Sequence, residues 1–146
     1  MAEEQLKLEN QLCFPVYAAS RLITREYQPL LAKLGITYPQ YLVLMVLWEN
    51  DSLPVNDIAR KLILNTNTIT PLLKRMEQQG LINRIRSKKD ERMVLVQLTE
   101  KGEGLKVKAL QIPEELIKRL SDSELKTDDL IKLKENLNSI ISLLSI

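Results

Sequence analysis

Apolar residues recur at helical spacing along most of this 146-residue chain, and only one stretch reads as a pair of strands. From Leu6 to about Tyr27 the positions Leu8, Leu12, Val16 and Ile23 share one side, which predicts an amphipathic helix. Pro15 interrupts it. Proline is comfortable only in a first turn, so the regular helix either begins near Cys13 or is kinked there. Pro29 marks a second bend, followed by the apolar Leu30–Leu34 and by Gly35 as a C-cap. Thr37 and Gln40 have capping-box spacing and open a nearly all-apolar segment over 39–49, the expected buried central helix.

Asn50, Asp51 and Ser52 end that segment. Pro54–Leu62 then predicts a short helix with Val55, Ile58, Ala59 and Leu62 inward. Asn65 is a good N-cap for a second helix, Thr66–Gln79, whose buried stripe is Ile69, Leu72, Leu73 and Met76, and Gly80 ends it. Strand-like segments at 81–86 and 93–98 flank a charged turn, Ser87–Arg92. Thr99 caps a further helix that Pro113 interrupts. A capping box from Ser121 to Glu124 precedes a last amphipathic helix with Leu130, Leu133, Leu137, Ile140, Ile141 and Leu144 on one side. The expected fold class is mainly α, a winged helix–turn–helix with a two-stranded β-hairpin wing. Residues 37–99 form the reading region. Residues 1–36 and 100–146 form a helical dimerisation region, all in one intertwined domain. Both terminal segments carry more apolar face than a small central core can cover, which points to a homodimer.

Composition narrows the chemistry. Aromatics make up only 4%, so aliphatic residues fill the core. No run approaches the eighteen or so apolar residues of a membrane helix. The polar, acidic start lacks a signal-peptide pattern, so the protein is expected in the cytoplasm. Histidine is absent and Cys13 is the single cysteine. Zinc sites, Ser-His-Asp or Cys-His pairs and an intramolecular disulfide are therefore excluded. No glycine-rich nucleotide motif occurs. The expectation is a protein with no cofactor, no metal and no catalytic site.

Charge changes the picture more. Between Arg60 and Arg92 lie nine Lys/Arg and three Asp/Glu, a local +6 in a chain of net +2, which suits a polyanion. A recognition helix needs small polar residues near its start to reach base edges, and Thr66, Asn67, Thr68 and Thr70 fit. Lys74 and Arg75 follow a turn later, placed for phosphate or base. The strand residues Arg84 and Arg86 and the turn residues Lys88, Lys89, Asp90 and Arg92 supply a second probe. Arg92 is the expected minor-groove finger, with Asp90 holding it by an ion pair. A solvated hairpin tip is also often charged; the helix–turn–helix in front of this one points to double-stranded DNA and a palindromic operator.

These residues carry a family resemblance. Pro54–Thr99, with its DER-centred wing (Asp90, Glu91, Arg92) and the following LTEKG (Leu98–Gly102), resembles the winged helix–turn–helix of the MarR repressors. The resemblance covers nearly the whole chain. The N-terminal KLENQLCFPVYAASRLITREYQPLLAKLGITYPQYLVLMVLWE is similar to the single-cysteine organic-hydroperoxide sensors, the OhrR type. That branch implies a homodimeric repressor whose oxidised cysteine releases DNA, with a peroxide oxidant and a small-molecule thiol as further partners. It maps the sensing residues onto Cys13, Tyr17, Tyr27 and Tyr38, the last two reaching the cysteine from the partner subunit. The chain departs from the pattern at Pro15, at Pro54 and at Asn65–Thr68.

Tyr17 lies one helical turn from Cys13. A phenol can donate to a thiolate and so favour the form that attacks peroxide, and a helix N-terminus acts in the same direction. A lone cysteine is otherwise a small buried hydrophobe. A second reading keeps Cys13 structural and releases the repressor with a small aromatic ligand. A one-cysteine peroxidase would leave the basic wing unexplained, and a pure interaction module would not bind duplex DNA in a salt-sensitive way.

Overall fold

Pro15 sits in the first turn of the first long helix, α1 (Cys13–Ala32), in the computed structural model, which describes residues 3–121 and 124–145. The helix begins at Cys13 because a continuous one would drive the Pro15 ring into the Gln11 carbonyl. The expected helical start at Leu6 is replaced by two single 3-10 turns, Glu4–Leu6 and Leu8–Asn10. Side chains hold them: Asn10 Nδ2 donates to the Glu4 carbonyl (2.6 Å) and Gln11 Nε2 to those of Gln5 (2.7 Å) and Lys7 (2.8 Å). Pro29 does not end α1, which carries on to Ala32. Gly35 (φ +71°) then closes it in a Schellman motif, with the Ile36 N–H on the Leu31 carbonyl (3.2 Å) and the Gly35 N–H on that of Ala32 (3.1 Å).

The chain divides after Tyr38 into two compact units. The second is built around α2 (Tyr38–Glu49), whose Val43, Leu44 and Leu47 are fully buried. Then come β1 (Leu53–Pro54), α3 (Val55–Leu62), α4 (Thr66–Gln78), β2 (Ile82–Arg86), β3 (Val94–Leu98), α5 (Glu100–Ala109), α6 (Ile112–Leu120) and α7 (Thr127–Leu144). Ile58, Ile69, Leu73, Met76, Leu81, Ile82 and Val96 complete that core. Helix α4 buries the face its spacing predicts, and α3 buries Ile58 and Ala59 with Val55 and Leu62 half-buried.

The sheet has three antiparallel strands in the order β1-β3-β2, one more than the expected hairpin. Leu53 pairs with Val96 on one side of β3 and Arg84 with Val96 on the other. Two residues are too few to show alternation, and Pro54 is tolerated because β1 is an edge. Pro54 is the N-cap of α3, outside its first turn. Asp51 anchors the junction: its Oδ1 accepts the N–H of Ser52 (2.8 Å) and of Leu98 (2.9 Å).

The LTEKG segment has a physical reading. Thr99 Oγ1 accepts the Gly102 N–H (3.1 Å), capping α5, and donates to the Gly80 carbonyl (2.6 Å). Lys101 Nζ donates to the Gln79 carbonyl (2.8 Å). Gly102 packs so closely that a Cβ there would overlap the Leu81 carbonyl oxygen. Its own carbonyl accepts from Trp48 Nε1 (3.0 Å).

Pro113 falls in the first turn of α6, so it starts that helix and separates it from α5. The predicted Ser121–Glu124 capping box includes Asp122 and Ser123, which lie outside the described residues. Helix α7 starts later, at Thr127, where the Lys126 N–H donates to Asp129 Oδ2 (3.0 Å). No residue of α7 is buried, and Ile131, Leu133, Ile140, Ile141 and Leu144 are exposed. Among the described residues, no helix is long and apolar enough to cross a membrane.

Candidate nucleic-acid interface and cysteine site

Asn65 fixes the start of α4. Its Oδ1 accepts the N–H of Thr68 (3.0 Å) and the hydroxyl of Thr68 (3.3 Å), so Thr68 is partly engaged in the cap. The turn before it is tight. Ile63 takes a left-handed conformation (φ +57°), with the Leu64 N–H on the Ala59 carbonyl (2.9 Å). This presents Thr66, Asn67, Lys74 and Arg75 to solvent, with Thr70 half-buried. Gly80 (φ +76°) ends α4 and turns the chain into β2.

The hairpin tip is ordered by its own side chains. Ser87 Oγ accepts the N–H of Lys89 (3.2 Å) and of Asp90 (3.4 Å), and the Ser87 N–H reaches the Met93 carbonyl (2.8 Å). Asp90 Oδ1 accepts the backbone N–H of Arg92 (3.0 Å). This corrects the expected Asp90–Arg92 ion pair: among the described residues no such pair forms. A short carboxylate reaches the N–H two residues on more readily than a guanidinium, the usual Asx-turn geometry. Asp90 therefore shapes the loop and leaves the Arg92 head exposed beside Lys88 and Lys89.

Arg84 takes a partner within the chain. Its Nε (3.3 Å) and Nη2 (3.2 Å) both donate to Glu77 Oε1, and its backbone N–H to Glu77 Oε2 (2.9 Å). These bonds, the backbone one foremost, hold the Glu77 carboxyl below the usual carboxylate range. Arg86 Nη1 lies 3.5 Å from the Glu91 carbonyl, at the limit of a hydrogen bond.

Thr66, Thr70, Arg84, Asp90 and Arg92 border one groove of about 580 Å³ between the helices and the wing. Asn56 and Arg60 of α3 line it too, with Arg60 Nη1 3.3 Å from Asp57 Oδ1. Neither stands out in the sequence pattern, which marks α3 only by its apolar face. Arg60, which opens the basic stretch, was the available signal.

The cysteine lies in the other unit. Cys13 is exposed and is the first residue of α1. Tyr17 follows one turn later, also exposed, with the Arg21 guanidinium over its ring at 4.9 Å. Tyr27 and Tyr38 form a separate pair, ring centroids 4.8 Å apart at 46°. Burial pushes the Tyr38 phenol up, so it stays a proton donor at neutral pH. Fourteen residues of helix separate Cys13 from Tyr27, a rise of about 21 Å. Within one chain Tyr17 is a helical turn from Cys13 and Tyr27 packs on Tyr38, with the two pairs apart.

A helix–turn–helix followed by a basic wing on a three-stranded sheet defines a winged helix–turn–helix protein. The family model of the transcriptional regulators SarA/Rot matches residues 25–109. An organic hydroperoxide resistance transcriptional regulator of Bacillus subtilis (strain 168) is 52% identical over 141 residues, 97% of this chain and 94% of its own. The regulator MgrA of Staphylococcus aureus is 38% identical, over 94% of this chain and 92% of its own. Reduced AbfR bound to DNA, a protein of Staphylococcus epidermidis, is 37% identical with a TM-score of 0.79, covering 100% of both chains. AbfR has also been solved in overoxidised and disulfide forms. The chain belongs to the MarR family of winged helix–turn–helix transcriptional regulators, in its organic-hydroperoxide branch.

Proposed function

We propose that this regulator is a dimeric, cytoplasmic repressor that leaves its operator when a peroxide oxidises Cys13. The observation that carries the reading is a solvent-exposed lone cysteine at a helix start beside Tyr17, in a chain 52% identical to an organic hydroperoxide regulator. In the first step the thiolate attacks one peroxide oxygen and the O–O bond breaks. The sulfur becomes a sulfenic acid and the peroxide leaves as its alcohol. No second cysteine is present to resolve it, so a small-molecule thiol condenses with the sulfenic acid and releases water.

The separation of the two tyrosine pairs supports a dimeric sensor. If two copies of α1 pass antiparallel, the Cys13 end of one meets the Tyr27–Tyr38 end of the other. The phenols of Tyr27 and Tyr38 would then complete the donors around the sulfur. The exposed apolar residues of α7 and of the N-terminal segment (Leu6, Leu8, Leu12, Phe14) supply surface for that second copy. A mixed disulfide at such an interface is bulky and polar, and it turns the two reading heads out of step with successive major grooves. On DNA, Thr66, Asn67, Thr70, Lys74 and Arg75 face the major groove and Arg92 the minor, with Arg86, Lys88 and Lys89 along phosphates.

The test is operator binding by gel shift with and without cumene hydroperoxide and a thiol, with mass spectrometry of Cys13. Wild-type protein is expected to release DNA as Cys13 gains oxygen or thiol mass, and Cys13→Ser to bind normally and ignore the oxidant. Release of Cys13→Ser by peroxide, or release of wild type only by a phenolic ligand, would overturn the sensor assignment.

A further inference from the structure

Glu77 is an acidic residue at the end of the recognition helix, where DNA should repel it, and Arg84 is a basic residue at the root of the wing. The two engage each other, Arg84 with two of its five guanidinium N–H donors. Both Glu77 oxygens are used, one by the Arg84 backbone N–H (2.9 Å) and one by its guanidinium (3.2 and 3.3 Å). The Glu77 side chain is 36% exposed and that of Arg84 26%, so the bridge lies at the margin of solvent and is held by its three hydrogen bonds rather than by burial. The bridge ties the last turn of α4 to the middle of β2. Arg84 stands opposite Val96, the fully buried centre of β3, so the point of attachment cannot slide.

We propose that Glu77 and Arg84 form a clamp that sets the angle of the wing against the recognition helix, and that Arg84 is a positioning residue rather than a phosphate contact. The inference rests on the DNA-binding reading above. Its consequence is that Arg92 reaches its groove only while the clamp is closed. A guanidinium with two N–H groups on one carboxylate oxygen has a fixed direction, which a lysine cannot copy. Electrostatics alone makes the opposite forecast: removing an acidic residue beside DNA strengthens binding.

Operator affinity of the full-length protein, measured against salt for Glu77→Gln, Arg84→Gln and Arg84→Lys, separates the two. A clamp predicts that all three weaken binding, by about tenfold, and that Glu77→Gln with Arg84→Gln together are no worse than either alone. Arg84→Gln and Arg84→Lys shift the salt slope alike, through the Arg92 contact that both displace, whereas a direct phosphate contact by Arg84 would be lost in Arg84→Gln, at about 0.9 in slope, and kept in Arg84→Lys. Softening of the fold would weaken binding with or without Arg92. A displaced wing loses the Arg92 contact specifically, so the penalty of Arg92→Ala shrinks toward none in the Glu77→Gln background. Arg84→Lys keeps the charge and gives the same reading should Glu77→Gln unfold. Tighter binding by Glu77→Gln, an unaltered Arg92→Ala penalty in that background, or a lowered slope in Arg84→Gln with normal Arg84→Lys would each overturn the clamp while leaving DNA binding intact. Failure of wild type to bind operator at all would overturn the DNA reading itself.

Discussion

Ile63 shows how a single residue reports on its backbone. A β-branched side chain in the left-handed region costs roughly 1–2 kcal/mol, while the extra freedom glycine brings to the unfolded chain costs about 0.5–1 kcal/mol. Ile63 is 57% exposed, so part of its surface still packs and its loss costs on the order of 1 kcal/mol. Strain relief, chain entropy and lost packing therefore nearly offset. Ile63→Gly is expected to stay within about 1 kcal/mol of wild type, read as a urea midpoint little changed at constant m, where an unstrained, half-covered isoleucine would lose clearly more. Gly102 gives a one-sided result. A methyl group there meets the Leu81 backbone, which has no rotamer to yield, so Gly102→Ala should destabilise by about 3 kcal/mol in the same assay.

At the scale of elements, caps and bridges decide how the reading surface is held. Asn65→Ala removes the acceptor for the Thr68 N–H and is expected to lower stability by about 1 kcal/mol, measured by thermal unfolding. Glu77 sets an acid limit. Its carboxyl is depressed in the folded state, so its contribution is complete above the ordinary carboxylate range and is lost as pH falls through the folded value. The unfolding midpoint of wild type should thus fall more steeply below about pH 4.5 than that of Glu77→Gln, both scanned at matched ionic strength. Much of this was legible in the sequence. The 3.6-residue spacing of Ile69, Leu72, Leu73 and Met76, and the punctuation by Asn65 and Gly80, located α4 to within a residue. Strand β1 was not legible, because two residues make no pattern. Nor was the partner of Arg84: composition counts its charge, and only a folded hairpin shows which carboxylate takes it. The partner of Asp90 escaped for the same reason, since an acid and an arginine two apart are equally compatible with an ion pair and an Asx-turn.

For the whole molecule, the unburied α7 is the feature to explain. Its exposed Leu133 and Ile140 are on the proposed surface for a second copy. Leu133→Glu with Ile140→Glu is expected to give a monomer in light scattering, while each chain still unfolds cooperatively. On the proposed reading two heads bind successive grooves together, so operator affinity should fall by about tenfold or more. A variant that remains dimeric and binds normally would place the interface elsewhere. The close approach of Gly102 to Leu81 then acquires a mechanical meaning. Gly102 of α5 meets the Leu81 main chain in the junction between the recognition helix and the wing, with the Leu98 side chain packed alongside. A rotation of α5 would press on a main chain that has no rotamer to yield, between the end of α4 at Gln78 and the start of β2 at Ile82.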